Sequence, residues 1–493
     1  MTIARAPIIL GNGNRTIIPT ISGLTISSGK NRDAAFSILV QVPPLADRAQ
    51  SECEDLTILT FDGTFFLKKV TSERKTTHVL IIVLAAAFVL RIVLIVGFKT
   101  YAYPVVWEYE EIANSLLAGR GYSFEFLNTT YWSFNTPLFG YLCAAIYAVT
   151  NHSYFAILII QSSFTIALAL TIFQIGKTVF NETVALLAAA LVAFHPGFVY
   201  YDVFNLLPLS IDSFMISAIT LLLLKHIDRP TSMAMSLIGG LIGIAVLSRG
   251  ITGVLLPFVI IYVALFARSL SRKERLISSM CLVCTAFIVL APWLIRNYVI
   301  HKQFVFISST SSENFWRGNN MYATGTSYDA NKLKIFDLWP EEFREKVYAM
   351  TEVQQKKFFE NEAWHFIAAN PAAAAKLYLK KVYYFWWFSP QSGIIYPKRY
   401  LAAYKYLYTI LIGFSLVGIV FALTSPKREV VESSLILISV PISICLAQSV
   451  FYVEGRHRWL VEPIMIIFFS YGVTRCWKVL LKRARSGNPA GRN

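Results

Sequence analysis

Ten apolar runs of roughly 20 residues divide the chain, at about 78–98, 154–175, 183–201, 204–224, 233–248, 251–267, 276–296, 402–424, 433–451 and 459–477. That is the length a helix needs to cross the hydrocarbon of a bilayer, so the pattern predicts an all-α, polytopic membrane protein with about ten transmembrane helices. A further run, FNTPLFGYLCAAIYAVT at 134–150, is shorter, opens near a proline and is separated from the next span by only a few residues. If it crossed, every later orientation would invert.

Lysine and arginine in the short loops decide between the two topologies. With 134–150 lying in the outer interface, the inner side receives SERK before the first span, Lys177, Lys225 with Arg229, ARSLSRKER, SPKRE and the tail KVLLKRARSGNPAGR. The opposite short loops, YYDVFN, SRG and FYVEGRHRW, then hold only Arg249, Arg456 and Arg458 among them. Both termini are therefore expected in the cytoplasm, with two long outward segments at 99–153 and about 298–400. Their patterns are helical rather than strand-like. EEIANSLLA puts Ile112, Leu116 and Leu117 on one side; one long helical period runs from Pro340 to Asn370-Pro371; and KLYLKKVYYFWWFSP, 376–390, mixes Lys with Tyr and Trp as a helix at headgroup level does.

The chain is 55% hydrophobic and 15% charged, with a formal net charge of +16. Because the basic residues collect on the inner loops, that charge reports topology and contact with anionic lipid, and nucleic acid is not an expected partner. The six cysteines are scattered and propose no disulfide framework; Cys281-x-x-Cys284 lies in an apolar run without a second ligand pair. Residues 1–75 stand apart, polar and rich in Ser, Thr and Asn, with short β-like pieces and no signal-peptide pattern. They read as a flexible cytoplasmic extension or an over-long start, with a small folded module as the alternative. The membrane domain spans 76–477, and 478–493 is a basic cytoplasmic tail.

Ionisable residues at or near membrane depth are costly and tend to pair or to line a cavity. Glu108, Glu110 and Glu111 of WEYEEIANSLLAGRGYS fall some ten residues past the first span, at the outer surface. One of them could act as a general base, or the three could be a solvated acidic helix start meeting the N-terminal dipole. On a helix, Glu108 and Glu111 share a face at i, i+3 while Glu110 points elsewhere. The topology sends Asp202, Asp212, Arg249, Arg296, Asn297, Arg456, His457 and Arg458 to the same layer. Arg249 reads either as a structural pair or as a phosphate ligand, Arg456 and Arg458 likewise. Asp212 has a structural or a chemical role open to it, and Arg91 snorkels or pairs with an acidic neighbour.

In order, FVLRIVLI, WEYEEIANSLLAGRGYS, FNTPLFGYLCAAIYAV, AFHPGFVYY, APWLIRNYVIHKQFVFIS, ENFWRGNNMYATG, NPAAAAKLYLKKVYYFW and RHRWLVEPIMIIFFSYG resemble the GT-C superfamily of integral-membrane glycosyltransferases. The branch is the protein-O-mannosyltransferase-like one, which includes the lipid A aminoarabinose transferases. The resemblance runs from residue 78 to about 475 and rests on order and spacing. It implies two membrane-lying helices in the first outer loop and a catalytic base at Glu108. It also implies a second acidic site residue, best matched by Asp212 with Asp202 as the alternative. Tyr109, Glu111, Arg249, Arg296, Arg456 and Arg458 are the implied substrate contacts. The donor would be a polyprenyl-phosphate-linked sugar and the acceptor a lipid, glycan or protein at the extracytoplasmic face of the cell membrane. Two departures stand out: FNTPL carries Asn135 and a single Pro137 where some relatives have a Lys before paired prolines, and the usual Asp-Glu pair is Trp107-Glu108. The leaving group is a monophosphate ester that arginines can neutralise, so the expected chemistry uses no metal or other cofactor, although Glu108 and Glu110 could hold a divalent ion. Rival readings are a non-catalytic transporter or lipid flippase, for which no internal repeat is visible, and a glycan polymerase or ligase differing in its acceptor.

Overall fold

The computed structural model describes residues 63–126, 129–226, 230–267, 269–392 and 398–486. The expectation for the polar stretch 1–75 falls, as far as residue 62, outside the described residues, as do Arg229 and the tail from 487. The chain forms α1 (Gly63–Gly97), α2 (Glu108–Leu117), β1 (Phe124–Phe126), β2 (Thr129–Tyr131), α3 (Pro137–Thr150), α4 (Tyr154–Val179), α5 (Glu182–Ala193), α6 (Pro196–Phe204), α7 (Leu209–Lys225), α8 (Ser232–Ser248), α9 (Leu255–Phe266) and α10 (Arg272–His301). It continues with α11 (Thr310–Gly318), α12 (Glu341–Tyr348), α13 (Glu352–Ala369), α14 (Pro371–Trp386), α15 (Lys398–Leu423), α16 (Arg428–Gln448), α17 (Gly455–Trp459) and α18 (Glu462–Ser486). The architecture is polytopic and all-α, its described sheet being one two-stranded antiparallel hairpin that pairs Phe124 with Tyr131.

Every predicted span is helical, and among the described residues seven helices are long and apolar enough to cross a membrane: 75–97, 154–179, 182–204, 272–301, 398–423, 428–448 and 462–481. The other three, α7, α8 and α9 with the 3-10 turn Gly250–Val254 before it, are shorter. Each covers 17 residues, or about 25 Å at 1.5 Å per residue, short of a hydrocarbon core of about 30 Å. The missing length is at one end, where Pro208, Ser248, Arg249 and Gly250 line a cleft instead of continuing a span. The segment expected to lie in the interface is the 14-residue α3, about 21 Å long and too short to cross upright.

Packing between spans is close where side chains are small. A Cβ on Gly418 of α15 would sit 1.9 Å from the carbonyl oxygen of Phe468 in α18, and one on Gly472 would sit 2.3 Å from that of Phe414. Only glycine lets the two backbones approach this far. The main core runs through α4, α5, α7, α8, α10 and α18. A separate cluster of Tyr109, Ala113, Phe139, Cys143 and Tyr147 seats α2 and α3 on Ile157 and Leu158 of α4.

Two details of the segments expected to face outward depart from the sequence pattern. The long helical period after Pro340 is broken at 349–351, because Thr351 and Gln354 form a capping box that starts α13 afresh. The first segment adds the β1–β2 hairpin, whose inward Phe124 and Tyr131 are buried against Phe134.

Candidate functional site

A cleft of about 350 Å³ opens where five connections meet: the start of α2, the α6–α7 turn, the α8–α9 turn, the start of α11 and α17. The basic loop residues lie at the far ends of the same helices: Lys177 near the end of α4, Lys225 at the end of α7, Arg272 and Lys273 opening α10, Arg428 opening α16. Cleft and basic residues thus occupy opposite ends of the bundle.

Two carboxylates line the cleft, Glu108 and Glu313. Glu313 is paired with Arg317 one turn later on α11. Glu108, the first residue of α2, has no hydrogen bond or ion pair with any described residue. Its neighbour Tyr109 is buried and shares a hydrogen bond of 3.2 Å with Thr136 Oγ1, which donates to the Ser248 carbonyl at 2.7 Å. Burial pushes the Tyr109 phenol up to about 12, with the charges of Asp212 and Glu108 adding to it, so the ring remains a neutral hydroxyl in the cleft wall.

Glu110 turns the other way. It is buried and accepts from Tyr147 Oη, from Tyr154 Oη at 3.1 Å and from His152 Nε2 at 2.7 Å. That clasp ties α2 to the end of α3 and the start of α4, and it takes Glu110 out of any carboxylate pair with Glu108. Glu111 is exposed outside the cleft, its carboxyl raised by partial desolvation and by Glu108 and Glu125 nearby.

The arginines divide similarly. Arg249 lines the cleft and gives Nε to Asp212 at 2.6 Å, leaving its two terminal nitrogens without a partner among the described residues. Asp212 is buried behind it, also accepts from Ser248, and is not among the residues that line the cleft, so it holds Arg249 in the cleft wall. Arg456 lines the cleft and pairs with Glu454 at 3.2 Å. Three expected site residues are placed elsewhere. Asp202 is buried against Arg91 at 2.9 Å and accepts from Thr165 at 2.6 Å, a lock between α1, α4 and α6 in which Arg91 pairs rather than snorkels. Arg296 donates to the carbonyls of Trp132 and Tyr122 and lies over the Trp293 ring, pinning the first outward segment to α10. Arg458 points behind the cleft, where it meets Glu462 at 3.2 Å and Tyr404 at 3.3 Å and stacks 3.7 Å from the Tyr408 ring centroid.

Sequence reasoning missed Glu313, Asn314 and Arg317 of α11, and it brought His457 of α17 to the layer without giving it a role. ENFWRGNN entered only through the resemblance, and its place across from α2 depends on tertiary contacts. Glu352, at the start of α13, accepts from the backbone N–H of Trp132 at 2.6 Å and of Ser133 at 3.0 Å and from Ser309 Oγ at 2.6 Å. Thr310 donates to the Phe134 carbonyl at 2.7 Å. A Cβ on Gly318 would lie 2.5 Å from the Phe451 backbone, so glycine there allows α11 to end against the α16–α17 connection.

Residues 135–295, which include Thr136, Asp212 and Arg249 but neither Glu108 nor Arg456, match the family model of dolichyl-phosphate-mannose-protein mannosyltransferases. The fold is similar to that of the archaeal oligosaccharyltransferase AglB from Archaeoglobus fulgidus in complex with an inhibitory peptide and a dolichol-phosphate, at 14% identity and a TM-score of 0.50 over 84% of this chain and 52% of that one. It is also similar to the Archaeoglobus fulgidus oligosaccharyltransferase complex with Zn and sulfate, at 15% identity and 0.51 over 81% and 50%, and to its apo form, at 16% and 0.51 over 84% and 52%. The chain spans about half the length of these structures, and at such identity the likeness is one of fold. No curated protein sequence matches the chain. The polytopic helical frame is similar in fold to that of these oligosaccharyltransferase structures. The matched segment and the fold bear out the resemblance to the GT-C superfamily, on its protein mannosyltransferase-like side.

Proposed function

We propose that the protein transfers a sugar from a polyprenyl-phosphate-linked donor to a hydroxyl or amine of an acceptor at the extracytoplasmic face, with inversion at the anomeric carbon. The carrying observation is that Glu108 is the one cleft carboxylate without a partner among the described residues, in a cleft it shares with Arg249 and Arg456. A carboxylate left unpaired in a wall where other charges are neutralised is available to take a proton. In the proposed step the acceptor gives its proton to Glu108 as its oxygen or nitrogen bonds to the anomeric carbon. The bond from that carbon to the phosphate oxygen breaks, and its electron pair leaves with the phosphate. Arg249 and Arg456 stabilise the charge that develops there. Arg249 suits the role because Asp212 fixes it from behind by Nε while its terminal nitrogens remain available. The outward location is supported by the basic loop residues at the opposite end of the bundle.

The test is lipid mass spectrometry of membranes with and without the protein. Loss of the protein should leave a polyprenyl-phosphate sugar accumulated and an acceptor lighter by one sugar. In proteoliposomes carrying that donor, Glu108→Gln should lose transfer while melting like the wild type; full transfer by this variant would remove Glu108 from the mechanism.

A further inference from the structure

His457 is the second of the three residues in RHR, and nothing in the reaction proposed above uses it. It is 5% exposed and lines the cleft. The backbone N–H of Glu454 donates to its Nδ1 at 3.1 Å. A backbone amide can only donate, so Nδ1 carries no proton, and the neutral ring has its single N–H at Nε2. Nε2 has no protein partner among the described residues. The groups facing the ring are Arg456 on its own helix, Arg249 from the α8–α9 turn, the Glu454 amide and the Tyr452 ring at 5.5 Å. Burial and then the two guanidiniums hold the imidazole well below its ordinary value, so it stays neutral across the physiological range.

We propose that His457 is a catalytic residue that donates an uncharged hydrogen bond from Nε2 to an oxygen of the departing polyprenyl phosphate, between Arg249 and Arg456. This rests on the reaction proposed above. An oxygen that gains charge as the glycosidic bond breaks is best met by a donor already aimed at it, and the Glu454 amide provides the aim. A third cation beside two arginines would repel them, whereas a neutral N–H adds a directed bond without that cost. The shared recognition is of a phosphomonoester on an apolar chain.

The test uses the full-length protein in nanodiscs with farnesyl phosphate as probe and farnesol as its phosphate-free control. His457→Phe is expected to weaken farnesyl phosphate about tenfold and leave farnesol unchanged. His457→Gln, which keeps a side-chain N–H, should recover most of the loss, and all variants should melt like the wild type. Equal affinity in the wild type and His457→Phe overturns the proposal, and so does equal weakening of phosphate and alcohol, which would mean a packing role. The wild-type to His457→Phe ratio should be the same at pH 6.5 and 8; a ratio growing on acidification would mean imidazolium and defeat the neutral donor. If the phosphate contrast holds but no acceptor is ever glycosylated, the reaction reading fails and the anion site stands; if transfer occurs with no phosphate contrast, only the role of His457 fails.

Discussion

Two cavities lie back to back across α6 and α17. The cleft with Glu108, of about 350 Å³, takes Tyr201, Arg456 and His457 from this wall; the chamber behind it, of about 510 Å³, takes Tyr200, Arg458 and Trp459. Neighbouring residues of one short helix thus serve opposite sides, because residues two apart in a helix point some 200° apart. The cleft's charged groups are partly exposed and partly uncommitted. The chamber's Arg458 is committed to Glu462, Tyr404 and the Tyr408 ring, and His195 and Tyr404 complete the set around Glu462. In the first region Glu108 and the terminal nitrogens of Arg249 have no partner among the described residues, whereas in the second the charged groups hold α15, α17, α18 and the start of α6 together.

The sharpest way to break this comparison is at its two extremes. Glu108→Gln should lower transfer by about 10²–10⁴-fold, the range for losing a positioned base, with an unchanged thermal melt. Arg458→Met should do the reverse. Removing one member of a buried pair leaves Glu462 without its guanidinium and costs on the order of 3–5 kcal/mol, read as a large drop in melting temperature in detergent. Arg456→Ala, only one helical residue pair away, should leave stability within about 0.5 kcal/mol and raise the KM for a polyprenyl-phosphate donor. If Arg456→Ala unfolds the protein and Arg458→Met does not, the division of the wall is wrong.

The same division explains what was legible in the sequence. Run lengths located the ten apolar spans, all of them helical, and the bias of Lys and Arg in short loops sent Glu108, Tyr109, Arg249 and Arg456 to one end of the bundle. All four line the cleft. The layer was therefore readable but the direction of each side chain within it was not. Asp202 was drawn off by Arg91, 111 residues away, and Arg296 by the carbonyl of Tyr122, 174 away. Such partners are set by tertiary packing. Glu110 and Glu111 are adjacent in WEYEE, yet one is clasped by three side chains and the other is exposed. The 100° between successive helical positions separates them, and the location of α3 decides which one is buried.

A weaker effect probes the seam between the cleft and the outward segment. Lys381 of α14 is fully buried and donates to the Gly318 carbonyl at 3.1 Å, Asn319 Oδ1 at 3.0 Å and the Val450 carbonyl at 3.3 Å, with no carboxylate among these partners. Burial pushes its ammonium down to about 7. The folded-state value is below the unfolded one, so between about pH 7 and 10 the unfolded chain binds more protons at this residue, and stability from this residue rises with pH. Below pH 7 the ammonium is charged in both states and its burial penalty is fully present. Thermal melts from pH 6.5 to 9 should therefore show a rising contribution that Lys381→Met removes, with transfer changed only a few-fold because Lys381 does not line the cleft.

The smallest effect is expected at Glu111. It shares a helical face with Glu108 in the sequence pattern, so a substrate role would make Glu111→Gln costly. In the structure it is exposed and outside the cleft, and what it contributes is a neighbouring negative charge to Glu108. Glu111→Gln should keep transfer within about twofold at neutral pH, consistent with surface substitutions away from packed groups. A loss of more than about tenfold at pH 7 would put Glu111 on the substrate and move the boundary of the cleft one helical turn along α2.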